Sequence, residues 1–91
     1  MALYLVNISP SQKTHDYRPL ARAMETVQAK RALKTTWFLE SNFSVRELTA
    51  ELGTLVHIED SFLVLEVVPS AAWAAVLLEG DSGPWLKARR P

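Results

Sequence analysis

The side chains of this chain best suited to act on a substrate are gathered in one polar loop. Residues 9–15 read Ser9-Pro10-Ser11-Gln12-Lys13-Thr14-His15, and Asp16 follows. His15 and His57 are the only imidazoles, and histidine alone has an ordinary pKa near neutrality. A loop histidine is more often inert. Set against that, His15 supported by Ser9 and Lys13 could do acid–base work on a phosphodiester without a metal. A metal is a poorer expectation, because hard divalent cations bind anionic oxygen. Asn7 and Ser9 offer only neutral oxygens. Asp16 is better placed to cap a helix, and Glu59-Asp60 to make a turn. There is no metalloprotease, Walker, dinucleotide or nucleophile-elbow motif, so no cofactor is implied. With no cysteine, disulfides and thiolate zinc sites are excluded.

Charge is balanced overall but unevenly distributed. Up to Arg46 there are seven basic residues (Lys13, Arg18, Arg22, Lys30, Arg31, Lys34, Arg46) against three acids. From Glu47 to Leu86 there are seven acids and no base, and Lys87, Arg89 and Arg90 follow. Zero net charge argues against a generic polyanion binder. The plain account is one basic and one acidic surface. The sharper account is a basic strip, carried by Arg18, Arg22, Lys30, Arg31 and Lys34, that meets nucleic acid or the acidic half of a second subunit.

These residues have to be positioned by regular elements. Residues 3–8 (LYLVNI) are apolar nearly throughout, as in a central strand. Asp16 should cap a helix with Pro19 in its first turn, and Leu20, Ala23, Met24 and Val27 form its buried stripe. Residues 30–40 (KRALKTTWFLE) are β-branched and aromatic, either one strand or two separated by a bulge at residues 34–36. Within them Trp37 and Leu39 share one face and Thr36 and Phe38 the other. Ser44-Val45-Arg46-Glu47 is a capping box, followed by a stripe of Leu48, Leu52 and Leu55. Residues 62–68 (FLVLEVV) are the strongest strand, with Glu66 at a sheet edge or subunit interface. Residues 71–78 fit helix or strand equally. Pro84 opens a short terminal helix.

Strand, helix, strand pair, helix, strand is an α+β plan of ferredoxin-like type: βαββαβ, an open sheet with two helices on one face. Residues 1–91 are expected to form one domain, with a core of 1–68 and a C-terminal extension of 69–91. A chain of this size has a stability of order ~5–13 kcal/mol. No apolar run reaches the ~20 residues of a membrane span, and a cytoplasmic location without membrane contact is expected. Three tryptophans are read as packing. Trp85, beside Lys87, Arg89 and Arg90, comes nearest to a base-stacking arrangement.

The pattern resembles the SinR-like small proteins, relatives of the small CRISPR adaptation nuclease family (Cas-two). It is carried by Tyr4-Leu5-Val6 in the first strand, Asp16-Tyr17 entering the first helix and Thr36-Trp37-Phe38-Leu39 in the second strand region. The capped helix, the apolar strand, Trp73 and Trp85-Leu86-Lys87 complete it. The resemblance implies a ferredoxin-like fold and a symmetric homodimer. In nuclease-active relatives a metal-binding aspartate ends the first strand; here that place falls at Ser9. Metal-dependent nuclease activity is therefore not expected. The leading expectation is a homodimeric RNA- or DNA-binding or scaffolding protein. A metal-independent endoribonuclease using His15, with Ser9 and Lys13, and a protein-interaction module are the alternatives.

Overall fold

A computed structural model describes residues 1–11 and 15–90. The elements run β1 (Ala2–Ser9), α1 (Arg18–Thr26), β2 (Lys30–Leu33), β3 (Thr36–Ser41), α2 (Val45–Gly53), β4 (Ser61–Glu66) and α3 (Ser82–Arg89). The four strands form one open antiparallel sheet in the order β2-β3-β1-β4. The apolar β1 takes an interior position, with Val6 opposite Trp37 of β3 on one side and Val64 of β4 on the other.

Alternation along β1 divides the molecule into two layers. Tyr4, Val6 and Ile8 point to the face where α1 places Leu20 and Met24 and α2 places Leu48 and Leu52; Leu39 joins them. This is the main core, and both helices contribute to it. The Tyr4 hydroxyl is satisfied by donating to the carbonyl of Phe43 at 2.7 Å, just before α2. On the opposite face Leu3, Ala32 and Phe38 pack with Leu86 of α3. That cover is incomplete: Leu63 and Leu65 of the edge strand β4 remain 57% and 53% exposed on this second face.

Trp37 and Leu39 do pack with the helix layer and Phe38 with the other, and the capping box forms. Ser44 Oγ accepts from the Glu47 N–H at 3.1 Å, while the Glu47 carboxylate accepts from the Ser44 N–H at 2.9 Å. That pairing holds the Glu47 carboxyl below its ordinary range, chiefly through the Ser44 N–H.

Four local readings change. Residues 30–40 are a hairpin whose register shifts between Arg31 and Leu33. The chain reverses at residues 34–35, where no Gly or Pro marks the turn. Helix α1 is capped by Tyr17 rather than Asp16, although Asp16 Oδ1 still accepts the Arg18 N–H at 3.0 Å. The last strand is Ser61–Glu66 rather than 62–68; beyond it the Val67 N–H still donates to the Leu3 carbonyl at 2.8 Å, and the Val67 and Val68 carbonyls accept from Arg90 instead of continuing the sheet. Residues 71–78 form neither helix nor strand; with Glu79 they lead to the outer edge of β2, where the Glu79 N–H donates to the Ala32 carbonyl at 2.9 Å. Glu66 lies on an edge strand, as one of its two readings had it.

Candidate functional site

The loop after β1 and the loop after α2 are tied together by one carboxylate. Asp60 Oδ1 accepts from the Ser11 N–H at 2.7 Å and the Ser11 hydroxyl at 2.8 Å. Its Oδ2 accepts from the Tyr17 hydroxyl at 2.7 Å and the His57 N–H at 2.8 Å. Desolvation alone would push the Asp60 carboxyl up, but the donors from Ser11, Tyr17 and His57 outweigh it and hold the carboxyl far below its usual range. Asp60, expected only to make a turn, is the organising group of this end of the molecule.

That clasp brings the two histidines together. The ring of His15 stands edge-on to Tyr17, with centroids 4.6 Å apart, and edge-on to His57 at 5.6 Å. His57 Nδ1 accepts the Glu59 N–H at 3.0 Å. In the neutral ring the proton is then on Nε2, which makes that nitrogen a donor. The same bond makes His57 a poor metal ligand, because a metal on Nε2 would need the other tautomer and would break it. Among the described residues no group of three His, Cys, Asp or Glu side chains could hold a metal ion.

The expected trio of Ser9, Lys13 and His15 is not assembled as a unit. Ser9 belongs to the second face, beside Asn7 and opposite Ser61. Asn7 is itself engaged there, its Nδ2 donating to Thr36 Oγ1 at 3.1 Å. Lys13 lies outside the described residues. His15 has acquired His57 and Tyr17 as neighbours instead. Alternation along β1 placed Ser9 with Asn7 in principle, but nothing in the chain marked the approach of His57 across the fold.

Next to this cluster, and sharing Tyr17 with it, a groove of about 310 Å³ runs between α1 and the β2–β3 hairpin. Its floor is Ile8, Leu20 and Trp37, and its charged residues are Arg31 and Lys34. Trp37 and Arg31 are direct cross-strand partners, and the guanidinium carbon lies 5.7 Å from the indole centroid. Arg31 Nε and Nη2 both donate to the Lys34 carbonyl, and Nε is 3.7 Å from Glu79.

The basic strip is partly consumed within the chain. Arg18 forms a two-pronged pair with Asp16 at 2.9 and 3.1 Å, and this, with the Arg18 N–H, brings the Asp16 carboxyl down to about 2. Lys30 pairs with Asp81 at 3.1 Å. With Arg31 near Glu79, two basic residues of the first half thus meet acids of the second half in the same chain. Trp85 packs, as expected of the tryptophans, and the arginines of the tail are engaged within the chain as well. Arg89 sits 3.8 Å over the Trp85 ring and pairs with Glu40 at 2.9 Å, while the Arg90 guanidinium donates to the Val67, Val68 and Arg89 carbonyls. A larger hollow at the opposite end, about 740 Å³ and lined in part by Gln28, Lys30 and Trp85, carries this paired, mutually cancelling charge.

No helix among the described residues is long and apolar enough to cross a membrane. Set beside protein-family models, curated proteins and solved structures, the chain matches none of them.

Proposed function

We propose that this chain is a small ferredoxin-like homodimer that binds nucleic acid, with α1 and the β2–β3 hairpin as the contact surface. The observation that carries the reading is the groove between them, whose charged lining residues are both cations. Arg22, exposed on α1 one helical turn after Arg18, lies outside the groove lining and adds to the positive field of α1 rather than to the groove itself. The ferredoxin-like assignment is supported by the strand order β2-β3-β1-β4 and by α1 and α2 sharing one face. The homodimer is supported by the uncharged second face at Leu5, Leu63 and Leu65, where two leucines stay more than half exposed on an edge strand.

Phosphate binding by a few cations releases counterions, so affinity should fall linearly on a log–log plot against salt. With three contacts to a single strand the slope is about −2. Fluorescence anisotropy with labelled RNA and DNA between low and physiological salt measures it. Lys34→Glu and Arg22→Glu should each weaken binding and flatten the slope. Binding that ignores salt and these substitutions would reject the proposal and favour the protein-interaction alternative.

A second reading, a metal-independent endoribonuclease, gains one observation: His57 stands beside His15. His15 would take the proton from a 2′-hydroxyl as its oxygen attacks phosphorus. His57 would give its Nε2 proton to the departing 5′-oxygen from the imidazolium form, which requires Nδ1 to take up a proton and release the Glu59 N–H. Cleavage of RNA but not DNA in the presence of EDTA, lost in His15→Ala and His57→Ala, is the expected result for that chemistry.

A further inference from the structure

The two arginine–tryptophan pairs of this protein are not equivalent. On Trp85 the guanidinium of Arg89 is seated at 3.8 Å, a contact distance, and Glu40 fixes it there. On Trp37 the guanidinium of Arg31 stands off at 5.7 Å. The Trp85 ring thus has Arg89 seated on it even where it lines the larger hollow, whereas no guanidinium is seated at contact distance on the half-buried Trp37 indole that lines the groove. The groove is about 310 Å³, at the lower end of the ~300–1,000 Å³ range of small-ligand sites. That is room for one flat ring system rather than two.

Its chemistry selects a flat apolar body with a negative charge. The floor is apolar and aromatic. The rim carries Lys34, for which no ion pair is found among the described residues, and Arg31, whose Nη1 has no hydrogen bond among them. Nearby acids have other partners: Asp60 is held by Tyr17, Ser11 and His57, and Asp16 by Arg18. Glu79, at 3.7 Å from Arg31 Nε, lowers the field at one end of the rim, which leaves Lys34 as the stronger phosphate contact.

We infer that the groove between α1 and the β2–β3 hairpin takes one unpaired nucleotide, with its base against Trp37 and its phosphate on Lys34 and Arg31. The inference rests on the nucleic-acid reading above and narrows it to single strands. A base paired in a duplex keeps its faces stacked on its neighbours and cannot enter a one-ring groove, whereas an unstacked base can lie on an aromatic side chain.

The test compares labelled eight-nucleotide single strands with a duplex of the same sequence, using the full chain. Ala21 is an exposed residue of α1 that lines the groove, so Ala21→Leu fills it without touching the core. Single strands should bind at least about tenfold more tightly than the duplex. Ala21→Leu and Lys34→Ala should each remove most of that preference, at unchanged thermal midpoint. In NMR spectra the Trp37 indole N–H, identified by its absence in Trp37→Phe, should shift on adding the single strand or a nucleoside monophosphate and stay in place with inorganic phosphate. Equal affinity for single strand and duplex, insensitive to Ala21→Leu, would overturn the groove assignment while leaving nucleic-acid binding intact. Failure of both strands to bind at low salt would overturn both.

Discussion

Ser11 and Asp60 lie 49 positions apart and are joined twice, the backbone N–H and the hydroxyl of Ser11 both donating to the same Asp60 oxygen. With Tyr17 and His57 on the other oxygen, this clasp closes the end of the molecule where the histidines meet. It is a link between the entry to α1 and the exit from α2, made by one charge.

The first prediction concerns acid. The Asp60 carboxyl is depressed in the folded chain, so its stabilisation is present above the unfolded-state value of about 3.9 and is lost progressively as pH falls below that. Asp60→Asn should therefore lower the urea midpoint at pH 7. The gap from the unmodified protein should narrow between pH 5 and pH 2. A gap that is constant across this range would mean the carboxylate charge is irrelevant to the clasp. His15 and His57 should also lose their mutual contact, seen as loss of ring-to-ring nuclear Overhauser effects.

The second concerns the exit from α1. Gln28 has φ of 58°, a left-handed conformation that favours glycine. The Ala29 N–H donates to the Met24 carbonyl at 2.9 Å and the Gln28 N–H to the Glu25 carbonyl at 3.0 Å, the double closure of a Schellman turn. A left-handed non-glycine residue costs roughly 1–2 kcal/mol, offset by the ~0.5–1 kcal/mol of backbone freedom that glycine returns to the unfolded chain. Gln28→Gly should stabilise by about 0.5–1 kcal/mol in a urea titration, and a destabilised variant would contradict this account of the turn.

What could be seen in the chain beforehand was what local spacing controls. The capping box at Ser44 and Glu47, the alternation of Trp37 and Leu39 against Phe38, and the leucine stripe of α2 depend on neighbours within a few residues. The turn at residues 34–35 was hidden because Lys-Thr carries no positive-φ signal, and residues 71–78 because their lack of regular structure follows from a route to the β2 edge. The histidine pair and the Asp60 clasp were invisible for a different reason. Apart from the local His57–Asp60 bond, they arise from contacts more than forty positions apart, which only the strand order brings together.

The third prediction separates burial from assembly. Leu39 is 1% exposed in the main core, and Leu39→Ala should cost about 2–5 kcal/mol, a large share of the ~5–13 kcal/mol expected for the whole domain. Leu65, more than half exposed, should tolerate Lys within about 0.5 kcal/mol of monomer stability. Leu63→Lys and Leu65→Lys should nonetheless convert a dimer to a monomer at about 10 µM, as read by light scattering coupled to size-exclusion chromatography. A monomeric unmodified protein rejects the homodimer, and a dimer that survives both substitutions rejects this face.

The fourth prediction concerns metal. At the end of β1 the side-chain oxygens are those of Asn7, Ser9 and, opposite, Ser61, all neutral. Divalent cations such as Mg²⁺ need at least one or two carboxylates. The carboxylates near the other end of the loop are already in use. Asp16 is gripped by both prongs of Arg18, and Asp60 accepts four donors that a cation would have to displace. Calorimetric titration with Mg²⁺ or Mn²⁺ should show no stoichiometric site. Ser9→Asp alone should confer no metal-dependent nuclease activity, because one added carboxylate beside Asn7 and Ser61 lacks the surrounding ligands to fix an ion. A one-to-one Mn²⁺ site of micromolar affinity in the unmodified protein, abolished by Asp16→Ala, would show that the Arg18 pair opens and would restore a metal-dependent nuclease to first place.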